Sequence, residues 1–448
     1  MKPLKIGITG VRGIVGETFT PELAIAFAQA FGTYLDGGPI LICRDTRASG
    51  PMVQSAVTAG LLATGSEVID LGICPTPTMQ LAVVHLGVKG GISITAGHNP
   101  SQWNALKFVR GDGLYLNASQ AEELLDLFHQ GEFDKAEWNE IRTRIEQQDA
   151  IGHHIETLKR VFDVPKIRQR KLRVAVDCCN GACSVLSPRW LEELGCTVLA
   201  INDDVTAQFP HNPEPKRETM AQLRAVVKAG RADIGFAHDA DGERLGIVTE
   251  TGEPLSEEMT LEIATEIKLR RAPGAVVTNI STTRAIEKIA SRYNSSVIRT
   301  PVGTAYISEA ILENEAVIGG EGNGAVAIPE IHATNDSAAT IGLILQHLAI
   351  TGKSISELIA DLPRYTMIKH YVPIAPNLLF SVLNDIRKEA EKTDADTIDL
   401  SDGIKLSWAD DWLHIRASNT ESMIRVIAEA EDGERAREMM NWAVDRLK

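Results

Sequence analysis

Three stretches of this chain repeat one short plan, and that plan leaves few folds open. Ala63-Thr64-Gly65-Ser66-Glu67-Val68-Ile69, Glu193-Leu194-Gly195-Cys196-Thr197-Val198-Leu199 and Arg292-Tyr293-Asn294-Ser295-Ser296-Val297-Ile298 each run from a helix end through a turn into a β-branched strand. One helix later comes another strand that stops in a polar loop: Ala96 to Pro100, Asp239 to Arg244 and Gly319 to Gly324. Such alternation is the pattern of α/β folds with largely parallel sheets. At 448 residues the chain is too long for one hydrophobic core. We expect three similar α/β domains with mixed, largely parallel sheets, each giving one loop to a central cleft.

From about Tyr365 the pattern changes. Strand-like runs Ile368 to Val372, Gly403 to Trp408, Trp412 to Arg416 and Ile424 to Ala428 lie between two helices, which reads as a C-terminal α+β domain. The expected domains are 1–150, 151–254, 255–364 and 365–448, with the charged stretch Lys135 to Gln148 joining the first two. Within the first, Pro21 to Leu35 has helical spacing, with Thr20 as N-cap and Pro21 at the first helical position.

Composition excludes several classes. A formal charge of -15 argues against a nucleic-acid partner, though a local Arg and Lys cluster still suits small phosphates. No apolar run approaches the ~20 residues that span a bilayer, so no membrane partner is expected. The start, Met1 to Thr9, reads as the first strand of a cytoplasmic protein. Cys43, Cys74, Cys178, Cys179, Cys183 and Cys196 show no zinc spacing and are expected to be free thiols.

Four polar segments carry the chemistry. Gly90-Gly91-Ile92-Ser93-Ile94 reads as a buried strand leading into Thr95-Ala96-Gly97-His98-Asn99-Pro100, a free backbone at a sheet end, where α/β proteins bind ligands. Asp239-Ala240-Asp241-Gly242-Glu243-Arg244 follows another apolar strand; three alternate carboxylates repel unless they share a cation, and oxygen ligands suit Mg2+. The alternative is a solvated acidic turn. Gly319-Gly320-Glu321-Gly322-Asn323-Gly324 is either a flexible turn or a presentation of Glu321 and Asn323 to sugar hydroxyls. Arg416-Ala417-Ser418-Asn419-Thr420-Glu421 is either a hairpin turn or an anion nest, with Arg425 on the next strand.

The hexapeptide resembles the active-site loop of the α-D-phosphohexomutases, whose third position is a serine that carries the transferred phosphoryl group. The other segments resemble that family's metal, sugar and phosphate loops, in the same order along the chain. Glu243 stands for the family's third aspartate, Asn323 for a serine and Ser422 for a proline. The resemblance implies a four-domain mutase that passes hexose phosphates through a hexose 1,6-bisphosphate. It implies Mg2+ on Asp239, Asp241 and Glu243, and Lys107 as acid/base, with Arg12 and Arg244 on the transferred group. It also implies Glu321 and Asn323 on hydroxyls, and Arg416, Ser418, Asn419, Thr420 and Arg425 at the distal phosphate. Asn104-Ala105-Leu106-Lys107 and the Gly-Glu-Gly-Asn-Gly run look like the phosphoglucosamine mutases of the family, which puts glucosamine phosphate first and glucose and mannose phosphates next.

Gly97 departs from that pattern, since it has no side chain to phosphorylate. Three accounts stand side by side: an engineered inactivating change, another carrier among Ser93, Thr95, His98 and Ser101, or room for a substrate phosphate to reach the metal. A sugar-phosphate-binding protein with impaired catalysis is the alternative to a working mutase.

Overall fold

The computed structural model describes residues 5–147, 149–375, 377–417 and 423–447. Four sheets follow one another along the chain. The first has seven strands in the order Lys5–Gly7, Gly10–Ile14, Trp103–Arg110, Gly90–Ile94, Pro39–Arg44, Glu67–Ile73, Arg144–Glu146. Its centre is parallel, while Gly90–Ile94 and Trp103–Arg110 form an antiparallel hairpin around the hexapeptide. The stretch read as a linker therefore does more than join domains: Arg144–Glu146 pairs in parallel with Glu67–Ile73 and extends the sheet. Its three residues are all exposed and only Ile145 is apolar, too short an alternation to read as a strand.

Helix Pro21–Tyr34 starts as expected, with the Thr20 side chain accepting from the Leu23 amide and Pro21 where no donor is needed. The second sheet runs Leu245–Thr249, Ile234–His238, Arg173–Asp177, Thr197–Ile201, and the third Val297–Thr300, Val276–Asn279, Ile318–Glu321, Ala325–Ile328, His332–Asn335. Both combine parallel strands with an antiparallel hairpin. The last sheet, Thr366–Pro373, Met423–Ala430, Trp412–Ala417, Ile404–Ser407, Thr397–Asp399, is antiparallel throughout and is covered by helices Leu379–Ala390 and Gly433–Leu447. The fold is thus a four-domain α/β architecture with mixed sheets.

The largest apolar core ignores the boundary between the second and third domains. Trp190, Phe236 and Leu245 pack in one cluster with Leu261, Ile318 and Ile341, and the Trp190 indole donates to the Ala338 carbonyl at 3.1 Å. Two fully buried polar chains add to this joint. His154 links Thr78 (2.8 Å) to Asp336 (2.9 Å), and His238 links Ser187 (2.8 Å) to Ser337 (2.9 Å). Burial holds His238 down to about 4, so it bridges the serines as a neutral ring. Ser337 in turn donates to the Gly242 carbonyl at 2.7 Å, which fixes the acidic loop against the third domain.

All six cysteines are free, and five are buried. No helix among the described residues is long and apolar enough to cross a membrane.

Candidate active site

A cavity of about 810 Å3 lies where the four domains meet. Gly97 and His98 line it from the first domain, beside Arg12 and Lys107; Asp239, Glu243 and Arg244 come from the second. Glu321 and Asn323 come from the third, and Arg416 and Arg425 from the fourth. Asp241 lies just beneath the wall, 1% exposed. Ser418, Asn419 and Thr420 fall outside the described residues.

The hexapeptide owes its shape to Arg47. That guanidinium donates to the carbonyls of Gly97 (2.7 Å), Asn99 (2.7 Å), Pro100 (2.6 Å) and Trp103 (3.1 Å), and its Nε meets Asp45 at 2.9 Å. The same Asp45 oxygen, Oδ2, also accepts the Thr95 hydroxyl at 2.6 Å, and Thr95 accepts from the Gly97 amide at 3.0 Å. Gly97 sits at φ +51, a left-handed conformation that costs other L-residues energy. A Cβ there would stand 3.2 Å from Asp241 Oδ1.

That oxygen is buried without a hydrogen-bond partner. Asp241 Oδ2 is well supplied: Lys107 Nζ reaches it at 2.6 Å and reaches Glu243 Oε2 at 2.8 Å. Tyr115 donates its hydroxyl to Glu243 Oε1. Asp239 Oδ1 accepts the amides of Glu243 (3.0 Å) and Arg244 (3.1 Å). Burial, then the neighbouring Asp241 charge, pushes the Asp239 carboxyl well above the usual range. Burial opposes the charge of Lys107, but Asp241 and Glu243 outweigh it and keep the ammonium well above the ordinary lysine range.

Among the described residues no three His, Cys, Asp or Glu side chains converge as a metal ligand set. Asp239, Asp241 and Glu243 do share one loop, yet Glu243 is engaged by Tyr115 and Lys107. The unpartnered Asp241 oxygen and the high Asp239 carboxyl nevertheless fit a hard divalent cation, which would supply the missing positive partner.

The segment Gly319 to Gly324 forms the turn of a hairpin, with Ile318–Glu321 antiparallel to Ala325–Ile328. Glu321 is fixed by Asn279 Nδ2 at 2.8 Å and Thr304 Oγ1 at 3.4 Å. Asn323 Oδ1 caps the Ala325 amide at 3.1 Å. A Cβ at Gly322 would overlap the Glu258 carboxylate, which would have to leave Lys369 and the Thr283 amide to make room. At the far end Asp402 grips Arg416 through two contacts of 3.1 Å and accepts the Val302 amide at 3.0 Å, tying the fourth domain to the third.

Sequence reasoning missed Tyr115, Lys216, Lys369 and Asp402. Lys369 crosses from the fourth domain to Glu257 (3.0 Å) and Glu258 (2.8 Å) beside the hairpin that carries Glu321. For Lys216 a signal was available: Asn212-Pro213-Glu214-Pro215-Lys216 sets Glu214 between two prolines with Lys216 directly after them, a stiff loop.

His211 anchors that stiff loop. Its Nε2 faces Asp177 at 3.0 Å and its Nδ1 faces the Asn212 carbonyl at 2.9 Å, so only the doubly protonated ring satisfies both. Burial lowers its affinity for the proton, but the Asp177 hydrogen bond prevails and the value rises to about 11. Because the folded value lies above the unfolded 6.5, the pair stabilises fully below pH 6.5 and is lost as pH rises through about 11. His211→Gln should cost about 1 kcal/mol at the acid end after discounting for solvent. Thermal melts should show the gap to the parent closing toward pH 11.

Comparisons with known proteins agree with this geometry. Models of the phosphoglucomutase/phosphomannomutase α/β/α domains I, II and III match residues 3–135, 153–252 and 255–365, and that of the C-terminal domain matches 376–445. A phosphoglucomutase/phosphomannomutase of Thermococcus kodakarensis is 38% identical, covering 99% of this chain and 98% of its own. A probable phosphoglucosamine mutase of Methanopyrus kandleri is 34% identical, covering 99% and 97%. A crystal structure of a putative phosphomannomutase from Thermus thermophilus is 26% identical, covers 99% of both chains and superposes with a TM-score of 0.84. An Aspergillus fumigatus N-acetylphosphoglucosamine mutase solved with GlcNAc-6P and magnesium shares the fold at 16% identity and a TM-score of 0.57, covering 92% of this chain and 82% of its own.

Proposed function

The chain belongs to the α-D-phosphohexomutase family, and on that premise we propose that it moves a phosphoryl group between O6 and O1 of glucosamine phosphate. It is an isomerase of hexose phosphates, and the transfer runs through a hexose 1,6-bisphosphate. The observation that carries the reading is that one cavity of about 810 Å3 gathers an acidic loop, a sugar-facing hairpin and an arginine pair from different domains.

Each part has a chemical task. Arg416 and Arg425 take the non-reacting phosphate, Arg416 by exchanging Asp402 for it. Glu321, 6% exposed and held rigidly, accepts from a hydroxyl or from an ammonium group at the sugar's second carbon. Arg12 and Arg244 stand at the reacting end with His98. Asp239, Asp241 and Glu243 would hold Mg2+, which neutralises charge on the transferred phosphoryl. Lys107, held here between Asp241 and Glu243, would move the hydroxyl proton. A cytoplasmic setting suits substrates of this kind.

A coupled assay should compare glucosamine, glucose and mannose 6-phosphates, with and without added hexose 1,6-bisphosphate. Turnover is expected to be highest with glucosamine 6-phosphate. A second reading, a sugar-phosphate-binding protein without catalysis, is favoured by Gly97 alone. It wins if hexose phosphates raise the melting temperature while no substrate turns over under either condition.

A further inference from the structure

O1 and O6 lie on opposite sides of a pyranose ring, so a phosphoryl group cannot pass directly between them. On the mutase reading a carrier is needed, and Gly97 supplies none.

The hydroxyls near the hexapeptide are poorly placed for that task. Ser93 is 1% exposed and its Oγ is shared with Thr76 (2.9 Å) and Cys43 (3.4 Å). Thr95 is wholly buried and spends its hydroxyl on Asp45. Ser101 is exposed but does not line the cavity. Tyr115 is committed to Glu243.

His98 differs on every count. It lines the cavity and is half-buried, and none of the described residues hydrogen-bonds its ring. The backbone around it is immobilised, since Arg47 holds the carbonyls on both sides, Gly97 and Asn99, and Asn99 folds back onto Ala96 O at 2.7 Å. Only the imidazole is left to project into the cleft. Arg12, Lys107, Lys216 and Arg244 line the same cavity and act on its charge, although Lys107 is paired with Asp241 and Glu243, and Lys216 and Arg244 with Glu214. A cleft that brings these cations to bear on one ring disfavours an imidazolium and favours a ring bearing a dianionic phosphoryl group, for which the paired carboxylates can be exchanged. Consistently, burial and then these charges hold the ring well below the ordinary histidine range, leaving a lone pair for attack.

We propose that His98 is the phosphoryl carrier of this enzyme, taking the group from hexose 1,6-bisphosphate and giving it to a hexose monophosphate. In the forward step the lone pair of the unprotonated ring nitrogen forms a P–N bond as the P–O bond to the sugar breaks. The sugar oxygen leaves with the bonding pair and takes a proton from an acid of the cleft, and the other ring nitrogen keeps its hydrogen. The return step reverses each change, so no outside oxidant or donor is consumed.

The test uses the full-length protein and radiolabelled glucose 1,6-bisphosphate, with turnover measured in parallel. The expected result is a protein label stable in alkali and lost in mild acid, the behaviour of a P–N bond. His98→Gln should lose that label while keeping its melting temperature and its stabilisation by glucose 6-phosphate. Thr9→Val, which removes a different cleft hydroxyl, should keep it. An acid-stable label identifies a hydroxyl carrier, and a hydroxylamine-sensitive one identifies a carboxylate such as Asp241; either overturns the proposal. Turnover without any label overturns it too, leaving the mutase reading intact with free bisphosphate as the carrier. Absence of turnover and label with all three hexose phosphates overturns both.

Discussion

Arg47→Met is expected to destabilise the first domain by about 3–5 kcal/mol, the range for removing one partner of a buried ion pair. Both side chains are fully buried, so the Asp45 carboxylate would remain with no compensating charge. The Thr95 hydroxyl and the residue 47 amide would still donate to it, but neither carries a full charge. The loss exceeds the pair itself, because four carbonyls on the loop from Gly97 to Trp103 lose their donor at the same time. Burial already pushes Asp45 upward against the Arg47 charge, and without that charge it moves further. Protonation then relieves part of the penalty, so the defect should shrink as pH falls. Arg47→Lys keeps the charge but not the fork and should fall between the two. Hydrogen exchange in strands Gly90–Ile94 and Trp103–Arg110 reads the effect where it arises. Unchanged protection there would show that the loop is held by something other than this guanidinium.

Arg47 also marks how far the sequence could be read. Alternating strands and helices, the Thr20 cap and the four polar loops are local signals, and local periodicity and turn chemistry reveal them. That Arg47 reaches across to Gly97 and Trp103 is a contact over 50 residues or more, which no periodicity encodes. Lys369 and Asp402 escaped notice for the same reason: each acts on a partner in another domain, Glu258 and Val302. The shared core around Trp190 and Ile341 was equally hidden, since an apolar helix looks alike whether it faces its own sheet or its neighbour's. The sugar loop was misjudged for a different reason. Glycine is a poor strand former, yet Gly319 and Gly320 are strand residues, with an Ala325 carbonyl where a Gly320 Cβ would stand.

Lys107→Met separates two duties that one ammonium performs. Here the group is a counter-charge, 2.6 Å from Asp241 and 2.8 Å from Glu243. Removing it leaves two carboxylates beside the already crowded Asp239, so the metal-free variant should lose about 2–3 kcal/mol, less than a fully buried pair because the lysine side chain is 16% exposed. The same removal clears the competitor for a divalent cation. Magnesium should therefore stabilise the variant more than it stabilises the parent, and at lower concentration. Turnover should nonetheless fall by about 10²–10⁴, the range for losing a positioned acid or base, and magnesium should not restore it. The readouts diverge: stability without metal and turnover fall, while metal affinity rises. A purely structural lysine would lower stability and turnover together, and both would recover when magnesium replaced its charge. A thermal melt series across magnesium concentrations, with turnover measured on the same samples, separates the two cases. If the variant binds magnesium no better than the parent does, Lys107 is not occupying the cation's place, and the carboxylate loop must be assigned another partner.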